Sequence, residues 1–205
     1  MRRGAAGRYA ALRNAVTQRE MTCVSQCQWG VVMQNEEDRS EEADKNLAAV
    51  CGLYCGACSL FIATTEEPER LRRLAEQLNL SEEECRCYGC RSDKRVLHCQ
   101  TCRIAACAAD RGISFCSECD EYPCDDLREF QSAKPHRVEL WMNLERIRSV
   151  GYKQWIDEMR ENYACPRCRT VNSAYDPVCR KCGADPASAF AARHRQVIEE
   201  HSKKS

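Results

Sequence analysis

The chain has 205 residues, with 31 lysines and arginines balanced by 31 aspartates and glutamates, so no global charge draws it to nucleic acid or an acidic membrane. No apolar stretch reaches the length of a membrane span, and Arg8 and Arg13 interrupt the alanine-rich start before a secretory apolar region can form. Of the 18 cysteines, twelve fall within residues 51–124, and between Cys85 and Cys124 large apolar side chains are sparse enough to exclude a fold held by oily burial alone. Burial at about 25 cal/mol per Å² does not offset an ordering cost of about 1.5 kcal/mol per residue there. Disulfides or metal must contribute. With no secretory start the expected compartment is a reducing cytoplasm, where clustered cysteines read as thiolate ligands.

Residues 1–46 carry few periodic apolar positions and end in the acidic run EEDRSEEADK, the pattern of a poorly ordered extension with one short helix near residues 10–19. Cys23 and Cys27 sit here with no second pair nearby and read as spare thiols.

Residues 47–62 read LAAVCGLYCGACSLFI. The glycines beside the cysteines allow the backbone to turn its amides toward thiolate sulfur. Cys51, Cys55 and Cys58 have the C-x3-C-x2-C spacing that radical S-adenosylmethionine enzymes use for a four-iron cluster, but the large barrel those enzymes need does not follow. Residues 66–80, with Pro68 near the start and Leu71, Leu74, Ala75 and Leu78 along one face, predict an amphipathic helix that covers the cysteine loops.

The remaining cysteines of this part come in threes: Cys85, Cys87 and Cys90; Cys99, Cys102 and Cys107; Cys116, Cys119 and Cys124. The last two triplets share the spacing C-x2-C-x4-C, repeated 17 residues apart. A C-x2-C pair supplies half of a tetrahedral zinc site. Cys55/Cys58, Cys87/Cys90, Cys99/Cys102 and Cys116/Cys119 are such pairs, and with the four single cysteines the count equals three four-thiolate sites, the pairing left open. His98 beside Cys99 is either a substitute ligand or a surface imidazole.

The motifs CGLYCGACSLFI, CRCYGC, CRIAAC and CSECDEYPCDDL resemble the prokaryotic cysteine-rich family catalogued as domain of unknown function 3795, over residues 47–130. The resemblance implies a metal-binding, cysteine-rich domain with a helix opening at Asp125, and brings no activity with it.

Residues 134–163 have apolar side chains every three to four positions, from Val138 and Leu140 to Ile156 and Met159, and Gly151 divides them into two helices. Trp141, Tyr152 and Trp155 read as core. Cys165, Cys168, Cys179 and Cys182 form CPRC and CRKC ten residues apart, the arrangement of a zinc ribbon, with Asn172, Ser173, Asp176 and Pro177 as turn residues between two short strands. Arg167, Arg169, Arg180 and Lys181 crown the knuckles. Residues 188–205 read as a short polar helix that frays.

The expected architecture is a small metal-stabilised α+β protein. It comprises an extension (1–46), a cysteine-rich multi-zinc domain (47–132), a helical segment (133–163), a zinc ribbon (164–186) and a C-terminal helix or tail (187–205). The expected ligands are Cys51, Cys55, Cys58, Cys85, Cys87, Cys90, Cys99, Cys102, Cys107, Cys116, Cys119, Cys124, Cys165, Cys168, Cys179 and Cys182, holding several zinc ions. The expected role is a structural or interaction module with a protein partner. The alternatives are an iron–sulfur or redox protein using Cys51, Cys55 and Cys58, and a nucleic-acid or ribosome-associated binder using the basic crown. Catalysis by a thiol is disfavoured, because His98, His136, His194 and His201 lie in no motif that pairs with a nucleophilic cysteine.

Overall fold

Pro68 opens the first long helix because its fixed φ suits the first helical turn, where its missing N–H has no partner to lose. The structure, a computed structural model, describes residues 45–132 and 134–203; the expected helix at 10–19 and the Cys23/Cys27 pair lie outside the described residues. Helix α1 spans Ser59–Thr65 and α2 spans Pro68–Leu78. Helix α2 ends at Asn79, which takes a left-handed conformation at φ 54°, a cap position that asparagine tolerates. Leu60 and Ala63 of α1 pack against Leu71 and Ala75 of α2, and Cys85, Cys87 and Val96 complete this smaller core. The amphipathic helix thus lies over cysteine-bearing loops. A single helical turn, Glu82–Cys85, is closed by a capping box in which Ser81 and Glu84 satisfy each other's backbone amides.

Two further helices follow, α3 over Arg103–Asp110 and α4 over Asp125–Ser132. Asp125 and Asp126 occupy the first turn of α4, where negative charge meets the positive end of the helix dipole.

Helices α5 (Leu140–Val150) and α6 (Tyr152–Tyr163) are divided at Gly151, whose φ of 80° is a left-handed value that side-chain-bearing residues avoid. They form an antiparallel pair. Leu140, Leu144 and Ile147 of α5 meet Trp155, Ile156, Met159 and Tyr163 of α6 in the main core. The cysteine-rich segment joins it through Ala48, Tyr54 and Ala57. Tyr54 meets Trp155 edge-on at 6.1 Å and stacks on Tyr163 at 5.9 Å. The trio Trp141, Tyr152 and Trp155 belongs to or packs on this core.

Helix α7 (Ala189–Ser202), capped by the Ser188 hydroxyl and kinked at His194, seats Phe190 and Ile198 in the same core, and Phe190 stacks on Tyr163 at 4.6 Å. The sequence reads as a short polar helix that frays, and the structure has a helix here that is anchored in the core. Three well-placed apolar residues, Phe190, Ala191 and Ile198, anchor an otherwise polar helix.

The described residues are mostly helical with little strand. Antiparallel pairing is confined to two isolated bridges, Ala48 with Tyr54 and Ala164 with Val171. Where two short strands were expected in the ribbon, side chains take up the backbone groups instead. The Ser173 amide donates to Asp176 Oδ2 at 2.8 Å and Asn172 Nδ2 to the Thr170 carbonyl at 2.9 Å. Among the described residues no helix is long and apolar enough to cross a membrane.

Candidate metal centre

Each C-x2-C knuckle of the C-terminal module is closed by the same backbone pattern. The Cys165 amide donates to the Thr170 carbonyl (2.8 Å) and the Arg169 amide to the Cys165 carbonyl (2.9 Å). In the second knuckle the Cys179 amide donates to Ala184 (2.8 Å) and the Gly183 amide to Cys179 (3.0 Å). Arg169 and Gly183, at equivalent places, both have positive φ, 63° and 69°. The repeated turn brings four sulfurs together. Cys165 Sγ stands 3.6 Å from Cys182 Sγ and Cys168 Sγ 3.6 Å from Cys179 Sγ, and all four lie within 4.8 Å of one another.

A tetrahedral zinc with sulfurs at about 2.3 Å requires sulfur–sulfur edges of about 3.8 Å. The tetrad has those dimensions, and this four-cysteine group can hold a metal ion. Cys165 and Cys179 are buried while Cys168 and Cys182 are half-buried. Local donors prepare the sulfurs for charge. The Thr170 hydroxyl, 3.4 Å from Cys168 Sγ, and the Thr170 amide hold the Cys168 thiol down at about 6. At Cys179 burial opposes ionisation, but the amides of Cys182 and Lys181 outweigh it and lower the thiol. Cys182 goes the other way: the Ala184 amide lowers it, yet desolvation and the neighbouring thiols push it up to about 11. Four thiols this close cannot all ionise without a cation among them, and a divalent ion removes that conflict.

Two crown cations are engaged within the chain. Arg180 binds Glu66 and Glu67 and donates from Nε to the Val171 carbonyl at 2.9 Å, and Arg169 pairs with Glu161. Asp176 receives both Arg70 guanidinium nitrogens, at 2.9 and 3.2 Å.

The other twelve predicted ligands are free thiols in a different arrangement. Among the described residues no three of their sulfurs come within 4.8 Å of one another. Cys51, Cys85 and Cys87 are buried, Cys58 and Cys107 exposed, and the rest half-buried. Burial first, then the nearby thiols of Cys90, Cys116 and Cys102, push the Cys51 thiol far up, against a hydrogen bond from the Leu53 amide. Cys85 is set apart, in the small apolar core under α2. His98 is exposed. Cys107, Cys116, Cys119 and Cys124 line one pocket, a grouping across two triplets that spacing does not announce.

Comparison with curated proteins and with solved structures found no match. Residues 47–129 match the family described as "Protein of unknown function (DUF3795)", to which this stretch of the chain is similar; the cysteines from Cys51 to Cys124 lie within the match and the tetrad beyond it.

Proposed function

We propose that this is a zinc-binding, cysteine-rich protein whose C-terminal tetrad, Cys165, Cys168, Cys179 and Cys182, holds one structural zinc ion, and that the protein acts as a structural or interaction module. The supporting observation is the convergence of four sulfurs within 4.8 Å. Four thiolates in tetrahedral array suit zinc and fill its coordination shell, leaving no position for a substrate or an activated water. An ion here stabilises the fold, because the unfolded chain offers no preformed tetrad; structural zinc contributes about 10 to 16 kcal/mol of apparent binding energy in small zinc-folded peptides.

The test is metal content and melting temperature of the whole chain. Cys168→Ser/Cys179→Ser is expected to lose one zinc per chain and to melt at lower temperature. Unchanged zinc content in that variant overturns the proposal.

A further inference from the structure

The last turn of α3, the turn Cys116–Glu118 and the segment leading into α4 line a pocket that is partly open to solvent. Four cysteines line it, Cys107, Cys116, Cys119 and Cys124, and its other walls are largely apolar, Ile104 and Leu127 among them. Two observations separate this group from the tetrad. A single ion draws four sulfurs to edges of about 3.8 Å, and the tetrad shows 3.6 Å; here no three sulfurs come within 4.8 Å of one another. The four cysteines line one pocket without closing to the spacing of a single ion. That wider spacing suits a polynuclear cluster, in which each thiolate binds a different metal atom, better than one zinc.

The second observation is Arg111. Its Nη1 lies 3.4 Å from Cys119 Sγ, and it is held by Glu121 at 2.8 Å. A positioned cation donating to a lining sulfur offsets part of the negative charge that four thiolates bring. Such hydrogen bonds to ligand sulfur set the potential of an iron–sulfur centre.

We infer that Cys107, Cys116, Cys119 and Cys124 bind a four-iron, four-sulfide cluster in this pocket, with Arg111 as a positioning residue for its charge. On binding, each thiol loses its proton to solvent and its sulfur bonds to one iron of a core made of two ferric ions, two ferrous ions and four sulfides, so that no electron is transferred in the step. The inference does not depend on the zinc reading: zinc content tests that, iron and sulfide content test this.

The experiment uses the full chain, purified anaerobically and incubated with equal amounts of ferrous and ferric iron and with sulfide, then desalted. Iron, sulfide and zinc are counted per chain, and electron paramagnetic resonance is recorded after reduction. Cys116→Ser/Cys119→Ser is expected to hold four fewer irons and four fewer sulfides than the unaltered chain while keeping its zinc, which reports intact folding. Cys107→Ser, at the exposed rim, is expected to fold normally and to give an altered resonance signal. Arg111→Gln is expected to keep the iron and show a lower reduction potential. Equal iron in Cys116→Ser/Cys119→Ser and the unaltered chain overturns the inference. So does an unchanged resonance signal in Cys107→Ser, or a second zinc that disappears with Cys116 and Cys119.

Discussion

Gly89 shows how closely the cysteine loops are fitted. Its φ is 110°, and a Cβ at this position would be driven into the backbone carbonyl oxygen of Asn46. That same carbonyl accepts the Cys90 amide at 3.1 Å, so the glycine lets the loop approach and dock the next residue. Gly112 provides the control, with φ 65° and open space around it. Gly89→Ala is expected to destabilise by about 3 kcal/mol, clash and left-handed strain together, and Gly112→Ala by about 1 kcal/mol from strain alone. Chemical denaturation of the two variants measures the difference; equal losses refute the close-approach argument. The sequence supports a turn at both glycines and cannot rank them, because Asn46 approaches Gly89 from 43 positions upstream.

At the scale of elements, what could be read in advance was whatever local chemistry decides. Pro68 opens α2, Asp125 and Asp126 open α4, Gly151 divides α5 from α6, and the two C-x2-C knuckles converge. What needed the structure was whatever distant parts of the chain decide together. Helix α7 looks solvated along its length and is anchored by Phe190 and Ile198. Cys107 faces the triplet that follows it, because α3 turns it toward Cys116 across the intervening loop. The bridge between Ala164 and Val171 replaces a pair of strands because Asn172, Ser173 and Asp176 bond their own turn. The α5–α6 pair carries the largest fully buried side chain, Trp155, whose indole N–H donates to Asn143 Oδ1 at 3.4 Å. Trp155→Ala is expected to cost about 3 to 5 kcal/mol, read from the denaturant midpoint. A loss below about 1 kcal/mol, within the range of ordinary surface substitutions or little above it, would show that this pair is not the centre of the fold.

Across the whole described molecule, polar clasps join the tetrad module to the first two helices. Arg180, directly after Cys179, is only 11% exposed and reaches Glu67 at 2.5 Å and Glu66. Arg70 grips Asp176, and Ser59 hydrogen-bonds Ser173 at 2.7 Å. Arg180→Ala leaves Glu67 and the Val171 carbonyl without this donor and is expected to cost about 1 to 3 kcal/mol. Because the clasp grows from the second knuckle, the same variant loaded with zinc is expected to release it to a chelator faster than the unaltered chain loaded likewise. Release at the same rate would mean that the knuckle holds its shape without it. The rings of Tyr54, Tyr163 and Phe190 make a second join, a stack whose members are drawn from residues 54 to 190 of the chain. Synthesis on the ribosome therefore delivers every cysteine before the last ring of that stack exists. Until Phe190 emerges, the nascent polypeptide carries sixteen thiols from Cys51 onward without its finished core.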